Sequence, residues 1–271
     1  MIRAIVCGAA GRMGGRIIAM IHEADDFTLV GAVERPGSPS IGQDAGEVAG
    51  IGKIGVPLVD DLGTVMGKGQ VVIDFTAPQA TMAHLAIAAQ SRVPVVIGTT
   101  GLGTADLERI RELSSAAPCV VSPNMSVGVN VLLKVLAEVA LTLGEEYDVE
   151  IVETHHRFKQ DAPSGTALKM AQVIAEKLGR ELDKTGIYGR QGLVGARSKE
   201  EIAIHALRAG DVIGDHTVIF GGMGERIEMT HRAHSRDNFA RGALRAARWV
   251  IGWPPGLYDM QDVLGLKDKG R

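Results

Sequence analysis

The chain has 271 residues, 45% of them hydrophobic and 23% charged, with a formal net charge of -3. That length and balance describe a globular protein able to bury a sizeable core, as one large domain or two modest ones. The near-neutral charge excludes a global field for nucleic acid or an anionic membrane, so any anion must be held locally.

Cys7 and Cys119 each lie inside an apolar run, which fits a reducing compartment and neither a disulfide framework nor a C-x-x-C metal site. The start, Met-Ile-Arg, lacks a basic or long apolar leader. The most apolar stretch, residues 131–143, is interrupted by Lys134 and Glu138 and reads as too short for a bilayer span. A cytoplasmic protein without membrane or nucleic-acid partners is expected.

The first 125 residues alternate short apolar runs with amphipathic segments, the pattern of a parallel sheet covered by helices on both faces. In order, "IRAIVCG" reads as a strand, "RMGGRIIAMIHEA" as a helix, "FTLVGAVE" and "QVVIDFT" as strands, and "PQATMAHLAIAAQ" as a helix opened by Pro78. "VPVVIGTTG", "TADLERIRELSSA" and "PCVVSP" add strand, helix and strand. The Gly- and Pro-rich residues 36–70 read as a short strand pair or an irregular excursion.

From Asn130 the pattern changes to a long helix, the strand "YDVEIVE", a charged loop, the helix "GTALKMAQVIAEKLG", and strands at 201–210, 216–222 and 225–234. Their spacing points to an antiparallel or mixed sheet. The last helix, from Asp237, and its tail return to the first domain. The expected organisation is α/β, a Rossmann-like doubly wound parallel sheet over 1–127, completed by 237–271, with a second α+β domain over 128–236.

Gly8, Gly11 and Gly14 stand between the first strand and first helix. The spacing departs from G-x-G-x-x-G by placing Ala10 where the second glycine belongs. The physics still serves a pyrophosphate, because the glycines permit a tight turn and the helix N-terminus offers unpaired N–H groups. Arg12 adds a full charge there. Glu34, 20 residues after Gly14, stands where an acidic residue accepts the ribose hydroxyls of NAD, and Arg35 where a guanidinium meets the 2′-phosphate of NADP. Small and hydroxyl residues at Thr76, Gly98, Thr99, Thr100 and Gly101 let a ribose or nicotinamide lie against strand ends. A plain strand-to-helix turn would use similar residues.

The stretch "ETHHRFKQDAPSGTA" (153–167) concentrates titratable groups. As a loop it can aim His155 and His156 into one pocket and bring the Lys159 ammonium beside either, giving a general acid and a charge stabiliser. Ser164 is a plausible helix cap, and Gly165 and Thr166 then present N–H groups and a hydroxyl to a carboxylate. A solvated loop is the plain alternative. Zinc on Glu153, His155 and His156 lacks the H-E-x-x-H spacing and faces the charges of Arg157 and Lys159, so no metal is expected. The residues together describe a nicotinamide oxidoreductase of a small dianion.

"GAAGRMG", "ER", "DFT", "GTTG", "SPNMSVGVN" and "ETHHRFKQDAPSGTA", in this order and spacing, resemble the dihydrodipicolinate reductase family over nearly the whole chain. The resemblance implies NADH- or NADPH-dependent reduction of the cyclic dicarboxylate 4-hydroxy-tetrahydrodipicolinate, with loss of water, in diaminopimelate and lysine biosynthesis. It makes His155 the proton donor and Lys159 the second donor or stabiliser. It sets His156 against the substrate and gives a carboxylate to Gly165 and Thr166. Cofactor contacts carry over to Gly8, Ala9, Ala10, Gly11, Arg12 and Met13, to Glu34 and Arg35, to Gly98, Thr99 and Thr100, and to Ser122, Pro123, Asn124 and Met125. The family commonly has small residues or an aromatic in that last segment, so Met125 is expected to supply apolar contact instead of a ring. A homotetramer through the second domain's sheet and a hinge at Gly128 are also implied. A dehydrogenase of another small carboxylated substrate, and a non-catalytic NAD-binding regulator, remain the alternatives.

Overall fold

The computed structural model describes residues 1–267, so the last four residues of the expected tail lie outside the described residues. The first elements are β1 (Ile2–Cys7), α1 (Arg12–Glu23), β2 (Phe27–Val33), α2 (Ala45–Ala49), β3 (Leu58–Val59), α3 (Gly63–Met66) and β4 (Val71–Asp74). There follow α4 (Pro78–Gln90), β5 (Val95–Ile97), α5 (Thr104–Leu113), β6 (Cys119–Val121), α6 (Val127–Leu143), β7 (Asp148–His155) and α7 (Gly165–Lys177). The remainder is α8 (Leu182–Thr185), β8 (Gly186–Ile187), β9 (Ile202–Arg208), β10 (Gly214–Gly221), β11 (Arg226–Ala233), α9 (Asp237–Val250), β12 (Leu257–Tyr258) and α10 (Met260–Val263). Two compact units result, one of residues 1–127 with the segment from Arg236, the other Gly128–Ser235.

The first unit is a seven-stranded sheet in the order β12-β6-β5-β4-β1-β2-β3, with every pairing parallel. Its inner strands are continuous apolar runs, Ala4–Cys7, Val71–Ile73 and Val95–Ile97, all buried because helices cover both faces. β1 pairs with β2 on one side and β4 on the other, and Cys7 is in register with both Val33 and Asp74. The strand order reverses at that point, where open α/β sheets form their ligand crevice. The glycine loop, Glu34 and the "DFT" turn all leave the sheet there.

α9 presents Ala240, Ala243, Leu244, Ala247 and Val250 to the core, an i, i+3, i+4, i+7 stripe. Its small residues permit close approach: a Cβ on Gly242 would stand 1.8 Å from the Met125 carbonyl oxygen. Two bidentate pairs fix its ends, Arg16 to Asp237 at 2.6 and 2.8 Å and Arg248 to Asp26 at 2.5 and 2.8 Å.

Residues 36–70 form an irregular excursion of two short helices and the edge strand β3, the second of the two expected forms and not a strand pair. Asp44 organises them. Its Oδ1 accepts the N–H of Gly46, Glu47 and Ile54, and its Oδ2 that of Gly55. These bonds, Ile54 foremost, hold its carboxyl below the usual range.

The second unit is a mixed sheet, β11-β10-β7-β9-β8, antiparallel on the β10 and β11 side and parallel on the β9 and β8 side. Val149 and Ile151 of β7, with Ile202, Ile204, Val218 and Phe220, pack on Met170, Ala171 and Ile174 of α7 and Leu136 and Ala140 of α6. The apolar stretch around residue 131 is longer than expected. Val127–Glu146 is one 20-residue helical run of mean hydropathy 1.7, which meets the length and composition of a membrane span. Its polar interruption is a Lys134–Glu138 pair at 3.1 Å, and Val129, Leu136 and Ala140 belong to the unit's core.

Candidate active site

In the first unit, Gly8 takes φ +78°, and the N–H groups of Gly8 and Ala9 donate to the Val33 carbonyl. A Cβ on Gly14 would fall 2.1 Å from the Gly8 oxygen, so α1 rests directly on the loop. Ala10, Gly11 and Arg12 are exposed, Met13 is half-buried and Ala9 is buried. The N–H groups of Arg12 and Met13, at the start of α1, have no intrahelical acceptor by the geometry of a helix. Glu34 stands beside this cradle, accepting the Ala10 N–H at 2.9 Å and the Arg35 N–H at 3.1 Å. A loop of glycines and alanines over a helix N-terminus, with a carboxylate and the exposed Arg35 at its side, fits a dinucleotide.

Asp74, at the end of β4 and the first residue of the "DFT" motif, had no role assigned from the sequence. Wholly buried, its Oδ1 accepts the hydroxyls of Thr76, Thr81 and Thr99 at 2.7, 2.9 and 3.1 Å, and its Oδ2 meets His84 Nδ1 at 2.7 Å. It therefore ties the "DFT" turn, α4 and the "GTTG" segment into one piece. Cys7, Asp74 and His84 also place possible metal ligands within 4.8 Å of one another. The carboxylate oxygens are already engaged, and burial, then the charge of Asp74, push the Cys7 thiol well up, so the group reads as a hydrogen-bonding hub.

Gly98 lies against the Phe75 ring, which a Cβ would meet at 2.2 Å. Thr99 is buried and Thr100 exposed. After β6, Ser122 Oγ donates to the Asn124 carbonyl at 2.8 Å, and Pro123 is exposed. Met125 is more buried than expected: only 1% exposed, it belongs to the core beneath α9, where its side chain fills the interior.

In the second unit β7 runs two residues further than predicted and ends at His155, with His156 opening the loop. Alternation along β7 turns Val149, Ile151, Glu153 and His155 inward. The two histidines therefore differ: His155 is 8% exposed, whereas His156 is half-buried with its ring near Phe158. Lys159 lies near enough to His155 for its charge to act on that imidazole. Its ammonium is bonded to both oxygens of Asp161, at 2.8 and 2.9 Å. Ser164 caps α7, its Oγ accepting the Ala167 N–H at 3.2 Å, and Gly165 and Thr166 form the first turn.

Three residues outside the expected set complete the cluster. Glu153, fully buried, meets His155 Nδ1 through Oε2 at 2.5 Å and accepts the Ser164 N–H on Oε1 at 3.0 Å. Arg208 donates to both its oxygens, at 2.9 and 3.1 Å. His216 lies edge-on to His155, ring centres 5.1 Å apart, with Nε2 at 3.0 Å from Ser164 Oγ. Burial pushes the Glu153 carboxyl up, and Arg208 and His155 outweigh it, leaving it below the usual range. His155 is held below the ordinary imidazole value by burial, with Glu153 opposing and Lys159 and Arg208 assisting. Burial, then His155, push His216 down to about 4. The signal that could have found Glu153 was a glutamate on the apolar face of an alternating strand, two residues before a histidine.

A glycine cradle at the switch point of a doubly wound sheet, and in the second unit a buried imidazole with an acidic partner, define the class: a nicotinamide-dependent oxidoreductase with its own proton chemistry. Comparison with known proteins narrows it. The model of the family described as dihydrodipicolinate reductase matches through its N-terminus over residues 2–125 and its C-terminus over 128–264. The 4-hydroxy-tetrahydrodipicolinate reductase of Syntrophus aciditrophicus is 59% identical over 267 residues, covering 98% of this chain and 100% of its own. That of Citrifermentans bemidjiense is 54% identical over the same shares. Among solved structures, a dipicolinate-bound dihydrodipicolinate reductase from Paenisporosarcina sp. TG-14 superposes with TM-score 0.78 at 28% identity, over 97% of this chain and 98% of the other. An amine dehydrogenase from Mycobacterium smegmatis, 15% identical with TM-score 0.59 over 94% of each chain, shares the fold. The chain belongs to the dihydrodipicolinate reductase family, oxidoreductases of diaminopimelate and lysine biosynthesis that use NADH or NADPH.

Proposed function

We propose that His155 and Lys159 carry the chemistry of this reductase, on a 4-hydroxy-tetrahydrodipicolinate molecule held by the second unit. The observation that carries the reading is the buried His155, its Nδ1 engaged by Glu153, next to the N-terminus of α7. That helix start suits one substrate carboxylate, taken by the N–H groups of Gly165 and Thr166 and the Thr166 hydroxyl. His156, at the mouth of the loop, contacts the ring.

Loss of the 4-hydroxyl as water, taking a hydrogen from C3, leaves a C3–C4 double bond conjugated with the ring imine, and NADH or NADPH, when bound, supplies the hydride for C4. Electron density then moves toward the ring nitrogen and C3. His155 donates the proton that C3 takes up, and the Lys159 ammonium, exchanging Asp161 for substrate, stabilises the developing charge. Residues 1–127 with 237–271 act as the cofactor domain: Gly8 to Met13 take the pyrophosphate, Glu34 the ribose hydroxyls or Arg35 a 2′-phosphate. Gly98 to Thr100 and Ser122 to Asn124 line the nicotinamide side, with Met125 as their buried support. The domain 128–236 binds substrate and assembles a homotetramer in the cytoplasm. The edge strand β11, with Ile227 40% exposed, supports that assembly.

The test is to replace His155 and Lys159 by alanine separately. Each change is expected to lower kcat by about 10²-fold or more, the range of general acid catalysis, with NADH affinity unchanged. Wild-type turnover in both variants would remove the mechanism. Light scattering of the purified protein tests the tetramer, which a monomeric mass would contradict.

A further inference from the structure

Glu153 has a place in the second unit that no proton transfer to substrate requires. Its side chain is wholly buried, yet it stays charged, because Arg208 donates to both oxygens. One oxygen meets His155 Nδ1 and the other accepts the Ser164 N–H at the cap of α7. A carboxylate is an acceptor only, so the nitrogen facing it must carry hydrogen. The proton that His155 gains and loses therefore sits on Nε2. Gly214 lies against that edge without a side chain, and a Cβ there would stand 3.0 Å from Nε2.

We propose that Glu153 is the positioning residue of the reaction, fixing the Nδ1–H tautomer of His155 so that Nε2 is the acid, and locking that imidazole to the carboxylate-binding start of α7. The inference rests on His155 being the proton donor and deepens that reading. One buried carboxylate then sets the register between the acid and a substrate carboxylate, which suits a rigid ring bearing an acid group a fixed distance from the carbon that is protonated. The other groups facing His155 are the Lys159 ammonium in the loop, Arg208 on β9 and His216 on β10, with His231 of β11 beyond it. Burial and the two cations lower His155, and Glu153 raises it. Loss of the carboxylate charge therefore favours the neutral imidazole, and an acid that must be protonated is lost at a lower pH.

Two measurements on the full-length enzyme test this. In wild-type protein with 15N-labelled histidine rings, the His155 signals, assigned by their loss in His155→Asn, should show hydrogen on Nδ1 and a bare Nε2 above the titration. Hydrogen on Nε2 would overturn the proposal and leave His155 as donor. Glu153→Gln, its folding checked by thermal melt, should lower kcat about tenfold or more, leave the KM for NADH unchanged, and move the alkaline limb of kcat/KM to lower pH. Glu153→Asp should restore part of both. A Glu153→Gln enzyme that is less stable but keeps its kcat and its pH limb, beside an inactive His155→Ala, means a structural role only and overturns the inference. A fully active His155→Ala overturns the reading beneath it, and the inference with it. Should Glu153→Gln fail to fold, the ring protonation of the wild type decides.

Discussion

A methyl group at Gly14 has no room, since it would stand 2.1 Å from the Gly8 carbonyl oxygen. Gly14→Ala must lift α1 from the glycine loop, at a cost of about 1–3 kcal/mol for overpacking. We expect a lower melting temperature and weaker NADH binding by titration calorimetry, with binding reduced more than stability explains. Wild-type affinity would show that the cradle does not depend on this contact. Glycines, the Glu34 strand end and the histidine pair were legible because each is a short motif whose chemistry lies in adjacent residues. Arg208 and His216 were not, because they reach this histidine and its glutamate only when β7, β9 and β10 pair, and Glu153 was legible only as the acid two residues before His155, its burial depending on the same pairing. Met125 shows the reverse: a motif position that tertiary packing claims for the core.

At the scale of elements, α9 is the chain's return to its first unit, and at Gly242 it leaves no room for a Cβ beside the Met125 carbonyl. Gly242→Ala should destabilise the protein in chemical denaturation by about 1–3 kcal/mol, whereas Arg248→Gln, which breaks a half-exposed pair with Asp26, should cost no more than about 1 kcal/mol. A larger loss from Arg248→Gln would mean that the ion pair, and not packing, docks the helix. Apolar runs and amphipathic periods placed the long strands and helices to within a few residues. The two-residue strands β3, β8 and β12 carry too short a pattern to read, and residues 44–55 around α2 are tied together by one side chain, Asp44, satisfying four backbone donors. Because Asp44 is held below its usual range, its contribution is present above the unfolded carboxyl value and lost as pH falls through the folded one. Asp44→Asn should therefore lower the melting temperature more at neutral pH than at pH about 3, below the unfolded carboxyl value of ~3.9. An equal loss at both would deny that the charged carboxylate holds the segment.

For the whole molecule, buried histidines make folding sensitive to acid. The unfolded chain protonates histidine near pH 6.5, while native His216 resists until about 4, and His155 and His231 are also held low. The unfolded state thus binds more protons across that window, so stability falls as pH drops from about 6.5. His216→Gln should flatten the slope of unfolding free energy against pH between those values. An unchanged slope would place the acid sensitivity elsewhere. The central claim is catalytic, and its most direct test is the loss of NADH absorbance, and separately of NADPH, with substrate made in place by condensing pyruvate and aspartate semialdehyde with the preceding synthase. The account predicts rapid oxidation that requires the synthase product and that His155→Ala abolishes. No oxidation of either cofactor by a protein that still binds them, or oxidation indifferent to the synthase product, would contradict it.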